Sequence, residues 1–278
     1  MGLSFAVTGG TGFVGRYVIN EALLAGHQIT LLSRERPSNA FFAGPFEHIP
    51  FDLEGPLPSF ADIGKPDRLL HLAWEGVPNY RSLNHFESVS KHYKFLRHQV
   101  KTGLRQITVT GTCLEYGLQE GELVEDMENY PAIPYGFGKD VLRRQLQFLQ
   151  RENDFTLVWA RLFYMWGDGQ GPNSLYSQIQ KALKHKDRLF RMSAGQQVRD
   201  FLPIADIARL VVQLAEHQRD LGIVNVCSGK PTTVEAQVKM WLTDMNKSLE
   251  LDLGYYSYPD YEPMRFWGST GKLRSLIA

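Results

Sequence analysis

The chain opens on a short apolar run, Ser4–Thr8, that passes at once into the loop Thr8-Gly9-Gly10-Thr11-Gly12-Phe13-Val14-Gly15 and then into a helical pattern from about Gly12 to Ala25, closed by Gly26. A strand that turns into a helix over so few residues needs positions without a Cβ, and the first turn of the helix leaves N–H groups without backbone partners. Glycines at 9, 12 and 15 let an anionic group approach that backbone, and the helix N-terminus favours it there. The spacing is G-x-x-G-x-x-G, and it restricts the start of the chain to a strand–loop–helix unit, the first piece of a parallel sheet covered by helices.

The remaining pattern continues that theme. Strand-like runs are read at Gln28–Ser33, Glu47–Phe51, Arg68–Ala73, Gln106–Thr110 and Thr156–Phe163, separated by helical periodicity over Asn84–Thr102 and Tyr135–Asn153, with a loop over Pro37–Pro45. The fold class expected is α/β: a Rossmann-type, doubly wound parallel sheet. Beyond residue 165 the pattern loosens. Gly167–Asn173 reads as a loop, Leu175–Lys186, Ile204–Glu216 and Thr233–Asn246 as helices, Ile223–Cys227 as a strand, and the aromatic tail from Tyr255 as irregular. Residues 1–165 are assigned to the sheet domain, with 204–228 returning to it. Residues 166–203 and 229–278 are assigned to a smaller substrate-binding lobe.

Composition narrows the function classes. Thirty acidic residues balance thirty basic ones, so no field favours nucleic acid or a membrane surface. No apolar stretch reaches the roughly 18 residues of a membrane span, and the N-terminal run lacks a basic segment before it. Cys113 and Cys227 fall in apolar runs and read as buried free thiols of a reducing compartment, so the expected location is the cytoplasm. The sequon Asn246-Lys247-Ser248 carries no weight there. The eight histidines show no metal-ligand spacing, and no metal is expected.

Chemistry concentrates in Tyr135-Gly-Phe-Gly-Lys139, where a phenol and an ammonium four residues apart share one helix face. A neighbouring cation favours phenolate, so the Tyr135 pKa is expected to fall toward the working range of an acid–base catalyst. At the end of the second strand stands Ser33-Arg34-Glu35-Arg36. An acid there would take the ribose hydroxyls of NAD, whereas the fork of Arg34, beside the Ser33 hydroxyl, suits the extra phosphate of NADP. NADP(H) is therefore expected in preference to NAD(H), which the site could also take. The competing reading leaves Arg34 and Arg36 as solvated loop charges.

Residues 1–230 resemble the extended short-chain dehydrogenases/reductases, the NAD-dependent epimerase/dehydratase family. The glycine loop resembles that family's cofactor loop, which implies contacts from Gly9, Thr11, Gly12, Phe13, Val14 and Gly15. Asp52-Leu53 is similar to its adenine-contacting pair, and His71-Leu72-Ala73-Trp74 to its segment beside the cofactor. Thr110-Gly111-Thr112-Cys113-Leu114-Glu115-Tyr116-Gly117 resembles its Ser-Ser-x-x-Val-Tyr-Gly segment, with Thr112 at the catalytic Ser/Thr, while Tyr135 and Lys139 fall on its Tyr and Lys. Val198-Arg199-Asp200-Phe201 through Asp206-Ile207-Ala208 matches its Arg-Asp-Phe-x-x-x-x-Asp-x-Ala signature, and Val224-Asn225-Val226-Cys227-Ser228-Gly229 its Asn-x-x-x-Gly strand end. The resemblance implies catalytic Thr112, Tyr135 and Lys139. It adds Ser33, Arg34, Leu72, Ala73, Trp74, Thr110 and Leu162 on the cofactor side, and Trp74, Cys113, Glu115, Tyr164, Arg199 and Asn173 on the substrate side.

Departures from the family pattern narrow the chemistry. The dehydratases carry Asp-Glu after the catalytic Thr, where this chain has Cys113 and Leu114, so the acid and base for water elimination are missing. Tyr164 replaces the Asn of Arg-x-x-Asn-x-Tyr-Gly, and Ser88 stands where a helix Asn is common. The wording resembles bacterial reductases of nucleotide-linked 4-keto-6-deoxy sugars. The expected activity is NADPH-dependent reduction at sugar C4 of a nucleoside-diphosphate sugar. A 4-epimerase and a non-catalytic NADP-binding protein remain as alternatives. Arg199 could clamp a diphosphate or pair with Asp200 at the surface, and Glu115 and Trp74 could line the sugar pocket or simply pack. The resemblance also implies a homodimer through the helices at 84–102 and 135–153.

Overall fold

The computed structural model describes residues 2–277. Strand β1 (Ser4–Thr8) leads through the glycine loop to helix α1 (Phe13–Leu24), and then come β2 (Gln28–Ser33), β3 (Glu47–Pro50), β4 (Arg68–His71), α2 (Asn84–Thr102) and β5 (Gln106–Thr112). A short β6 (Gly121–Leu123) precedes α3 (Pro134–Glu152), β7 (Thr156–Leu162) and β8 (Tyr164–Trp166). The second half runs α4 (Leu175–His185), β9 (Leu189–Arg191), β10 (Val198–Pro203), α5 (Ile204–Glu216), β11 (Gly222–Val226), β12 (Pro231–Thr233), α6 (Val234–Asp244), β13 (Glu250–Asp252), β14 (Phe266–Gly268) and α7 (Gly271–Ile277).

Seven strands form one parallel sheet in the order β11-β7-β5-β4-β1-β2-β3. Its central strands are buried on both faces, which is why β4 and β7 read as nearly continuous apolar runs. One face packs against α1 and α5 through Val18, Ile19, Ile207 and Val211, and the other against α2 and α3 through Phe95, Leu96, Leu142 and Leu146. Each such side chain, fully buried, contributes roughly 1.5–3 kcal/mol of transfer free energy. The strand order reverses between β1 and β4, and a crevice opens beyond the carboxyl ends of strands at such a switch point. The glycine loop after β1, Leu72–Trp74 after β4 and Thr112 at the end of β5 all emerge at that end.

Most expected elements are present within one to three residues of the bounds read from sequence. The exceptions are short strands whose partners are remote. β8, β10 and β12 form a separate sheet, β9 pairs with β13, and β6 pairs with β14. Apart from the six-residue β10, these strands have three residues each and bury too few side chains to leave a periodic signal. The tail from Tyr255, expected to be irregular, ends in β14 and α7. Leu273, Leu276 and Ile277 of α7 pack into the α1–α5 face of the main sheet, so the last residues rejoin the first domain's core instead of staying with 229–278 as a lobe.

Candidate active site

The fit of a dinucleotide is decided at the glycine loop. Gly9 has φ +72°, in the left-handed region, and a Cβ there would come within 2.5 Å of the Ala73 nitrogen. A Cβ on Gly15 would lie 2.1 Å from the Gly9 carbonyl oxygen, so the loop closes on itself only with glycine at both places. Gly12 caps α1 without a side chain, leaving the first-turn N–H groups open to an anion. The neighbouring side chains turn aside: Phe13 packs on Tyr17 at 5.8 Å, and Arg16 and Tyr17 reach the carbonyls of Gly169 and Asp168. The residues present therefore fit a dinucleotide pyrophosphate.

Flanking positions agree with that fit. Arg34 and Asp52 are both exposed, the first just beyond β2, the second beyond β3 with its carboxylate on the Glu54 N–H at 3.0 Å. Arg36 is drawn away: its guanidinium lies 4.8 Å from the centroid of Phe46. That leaves Arg34 as the cation available at the end of β2. Ser33 donates its hydroxyl to the Glu35 carbonyl.

Tyr135 and Lys139 occupy the first turns of α3, against the end of β5. Lys139 is 2% exposed; its Nζ donates to the Thr110 carbonyl at 2.8 Å and lies 4.3 Å from the Trp74 ring centroid. Burial lowers its pKa to about 7, with Glu115 opposing. Trp74 in turn stacks on His92 at 4.5 Å and 10°, and His92 joins a buried chain through His71 to Thr8. His71 is held neutral, pushed down to about 3 by burial and then by Lys139. Histidine at 71 is thus a satisfied core residue beneath the site.

The expected fall in the Tyr135 pKa is not what the structure gives. Burial, followed by Tyr80, Glu115 and Cys113, pushes the phenol up, and the Thr112 hydroxyl is what opposes the rise. The reason is geometric. Although the two residues share a helix face, the Lys139 ammonium is engaged by the Thr110 carbonyl and the Trp74 ring. Thr112 is itself 7% exposed and serves two tasks: its hydroxyl accepts from the Leu114 N–H at 3.3 Å while also facing Tyr135.

Two substrate-side residues sit elsewhere than expected. Glu115 is fully buried beneath the site. It accepts from the Thr112 N–H at 2.8 Å and Trp159 Nε1 at 3.0 Å, and pairs with Arg161 Nη2 at 2.9 Å. It therefore shapes the turn that presents Thr112 and does not line the pocket. Arg199 is buried and pairs with Glu262 at 2.9 Å, not with Asp200, which accepts from Ser228 and Gly229. Its guanidinium stacks 4.6 Å from Phe266, so an incoming diphosphate would compete with Glu262 for it.

Cys113, Tyr164 and Tyr135 do come together, with Tyr80 and Tyr261, in one cluster above the strand ends. The Tyr164 hydroxyl is buried facing Glu262 and Arg199. Burial pushes the Cys113 thiol up, so it offers no base at neutral pH. Leu162 lies in the core below, and Asn173 is exposed ahead of α4, its carbonyl accepting from Gln178. Tyr80 and Glu262 carried no signal in the sequence: each lies in an irregular segment without a motif. Among the described residues no helix is long and apolar enough to cross a membrane, and no cluster of metal ligands is found.

The family model described as "NAD dependent epimerase/dehydratase family" matches residues 5–227. The chain is similar to the dTDP-6-deoxy-L-talose 4-dehydrogenase (NAD(+)) of Aggregatibacter actinomycetemcomitans, 30% identical over 96% of this chain and 100% of that protein. It is also similar to the dTDP-4-dehydro-6-deoxyglucose reductase of Escherichia coli, 22% identical over 87% of this chain and 81% of that protein. Among solved structures, MoeE5 in complex with UDP-glucuronic acid and NAD superposes with a TM-score of 0.84 at 23% identity, covering 99% of this chain and 92% of that one. That likeness shows the Rossmann-type fold.

Proposed function

Because the chain belongs to the NAD-dependent epimerase/dehydratase family of extended short-chain dehydrogenases/reductases, we propose that it interconverts a ketone and an alcohol at C4 of a nucleoside-diphosphate 6-deoxy sugar, working as a reductase. The observation that carries this reading is the gathering of Thr112, Tyr135 and Lys139 at the end of β5, with Cys113 and Leu114 where elimination would need two carboxylates. The names of the two relatives place both at C4 of a dTDP-6-deoxyhexose, one in the oxidative and one in the reductive direction.

A dinucleotide would be held by the glycine loop, Asp52 and the Leu72–Trp74 segment, and when bound would supply the hydride. Tyr135 keeps its proton at neutral pH because burial raises its pKa, and it is placed to protonate an alkoxide as charge develops. Thr112 donates a second hydrogen bond to the same oxygen. Both interactions strengthen as charge appears, which is where they lower the barrier. Lys139, anchored on Thr110, would hold the ribose of a bound dinucleotide, with a positive charge that burial makes easy to surrender. Arg34 favours NADPH by charge, although the relative's name carries NAD(+).

The helices α2 and α3 present an outer face with Phe86, Phe137 and Phe148 exposed at 45%, 48% and 61%. A second copy of the chain covering this face would form the expected homodimer, and light scattering would read its mass. The functional test is direct. Given dTDP-4-keto-6-deoxyhexose and NADPH, wild type should consume one NADPH per ketone. Tyr135→Phe should lose turnover at least a thousandfold while binding NADPH with nearly unchanged affinity. Retained turnover in Tyr135→Phe would refute the assignment, and interconversion of a 4-hydroxy sugar nucleotide with its C4 epimer without net cofactor change would indicate an epimerase.

A further inference from the structure

Tyr80 lies in the irregular stretch between β4 and α2. Its ring stacks on Tyr135 with centroids 5.3 Å apart and 26° between planes, and its carbonyl accepts the Tyr135 N–H at 3.1 Å. The stretch is also gripped from the C-terminal segment. Arg81 pairs with Asp260 and lies 5.0 Å from the Tyr261 ring centroid, while the adjacent Glu262 pairs with Arg199. Tyr80 is therefore clasped between the catalytic helix and the 260–262 turn, beside Cys113 and Tyr164 in the cluster above the strand ends.

Its chemistry is defined by that position. Burial, then Cys113, Glu262 and Tyr261, push the phenol up to about 12, with no hydrogen bond from the described residues among the influences on it. The hydroxyl stays neutral through the physiological range and is free to donate to a ligand. The ring alone would explain packing. Tyr80 is only half-buried, and its hydroxyl is not among the buried unpartnered polar atoms, so at the edge of the cluster it stays within reach of a ligand.

We propose that Tyr80 is a further substrate-contacting residue, its hydroxyl binding a sugar hydroxyl next to the carbon served by Tyr135, and its ring holding the Tyr135 phenol in line. This rests on the nucleotide-sugar reading above. Tyr80→Phe keeps the ring and removes the hydroxyl, whereas Tyr80→Leu removes both. With NADP+ bound, calorimetry of wild type and Tyr80→Phe with dTDP-6-deoxy-L-talose and with dTDP separates sugar from nucleotide contacts.

A lost neutral hydrogen bond corresponds to about a three- to tenfold loss. Tyr80→Phe should bind the sugar nucleotide weaker by that factor, bind dTDP unchanged, and keep kcat within about threefold on the scale of that same bond. Tyr80→Leu should in addition lose kcat about tenfold or more, as a misplaced acid does. Equal sugar-nucleotide affinity in Tyr80→Phe and wild type, or an equal loss for dTDP, would overturn the role of Tyr80 while leaving the reductase reading intact. A wild type that binds neither ligand and reduces no ketone would overturn both.

Discussion

Replacing Glu115 with alanine tests how the site is supported from below. Three donors converge on this carboxylate, the Thr112 N–H at 2.8 Å, Trp159 Nε1 at 3.0 Å and Arg161 Nε at 3.0 Å, and Arg161 Nη2 adds an ion-pair contact at 2.9 Å. Both charged partners have 0% side-chain exposure, so water cannot replace the lost acceptor. Arg161 would remain buried with its charge uncompensated except by the Tyr116 ring, 4.2 Å away. Removing one partner of such a pair costs about 3–5 kcal/mol. For a chain of this size that corresponds to a fall in Tm of roughly 5–9 °C. Removing both charges together, with Glu115→Leu and Arg161→Leu, should be clearly milder than the sum of the single replacements, because no charge is then stranded. Urea and thermal denaturation, followed by circular dichroism and by the emission of the buried Trp159, would measure both. A loss below about 1 kcal/mol in the alanine variant, or a strictly additive double variant, would refute the buried pair as the support of the Thr112 turn.

Further consequences concern cofactor and pH. Arg34→Asp should lower kcat/KM with NADPH at least about tenfold and leave or improve that with NADH, since a carboxylate repels the extra phosphate and accepts from ribose hydroxyls; an unchanged ratio would assign the end of β2 no part in the choice. Lys139 has a folded-state pKa of about 7 against roughly 10.4 unfolded. Between those values the unfolded chain binds more protons, so its charge burial penalises folding below pH 7 and the penalty is relieved as pH rises. Cofactor-free wild type should therefore gain up to about 1.4 kcal/mol per pH unit over Lys139→Met between pH 7 and 10, and parallel stability profiles would contradict this. The neutral His71 acts in the same direction at acid pH: as its folded pKa lies near 3, stability should fall from about pH 6.5 downward, and His71→Leu should flatten that limb.

What could be read from the sequence tracks how local each signal is. The strand–glycine–helix unit, the helices at 84–102 and 204–216, and the Tyr135/Lys139 pair depend on neighbours within a few residues, and the structure has the helix bounds as read. β8, β10 and β12 could not be read, because each is stabilised by partners tens of residues away. The direction of the Tyr135 shift was missed for a related reason. Spacing says which face a side chain leaves from, but whether a long lysine ends on the phenol or on the Thr110 carbonyl depends on tertiary packing. For Glu115 the sequence leaves pocket lining and packing open, and the tight turn at residues 113–116 decides for packing by pointing it into the core toward Trp159 and Arg161. Arg199 found its partner in Glu262, a residue of the tail where the sequence shows no pattern at all.

Hydride delivery to a sugar carbon is followed most directly by isotope. The enzyme would be incubated with dTDP-4-keto-6-deoxyhexose and NADPH carrying deuterium at both positions of nicotinamide C4, and the product examined by proton NMR and mass spectrometry. One deuterium at C4 of the sugar, with one cofactor oxidised per product and none of this in Tyr135→Phe, is the expected result. Product without label, label at another carbon, or label transfer that survives loss of the Tyr135 hydroxyl would contradict the account.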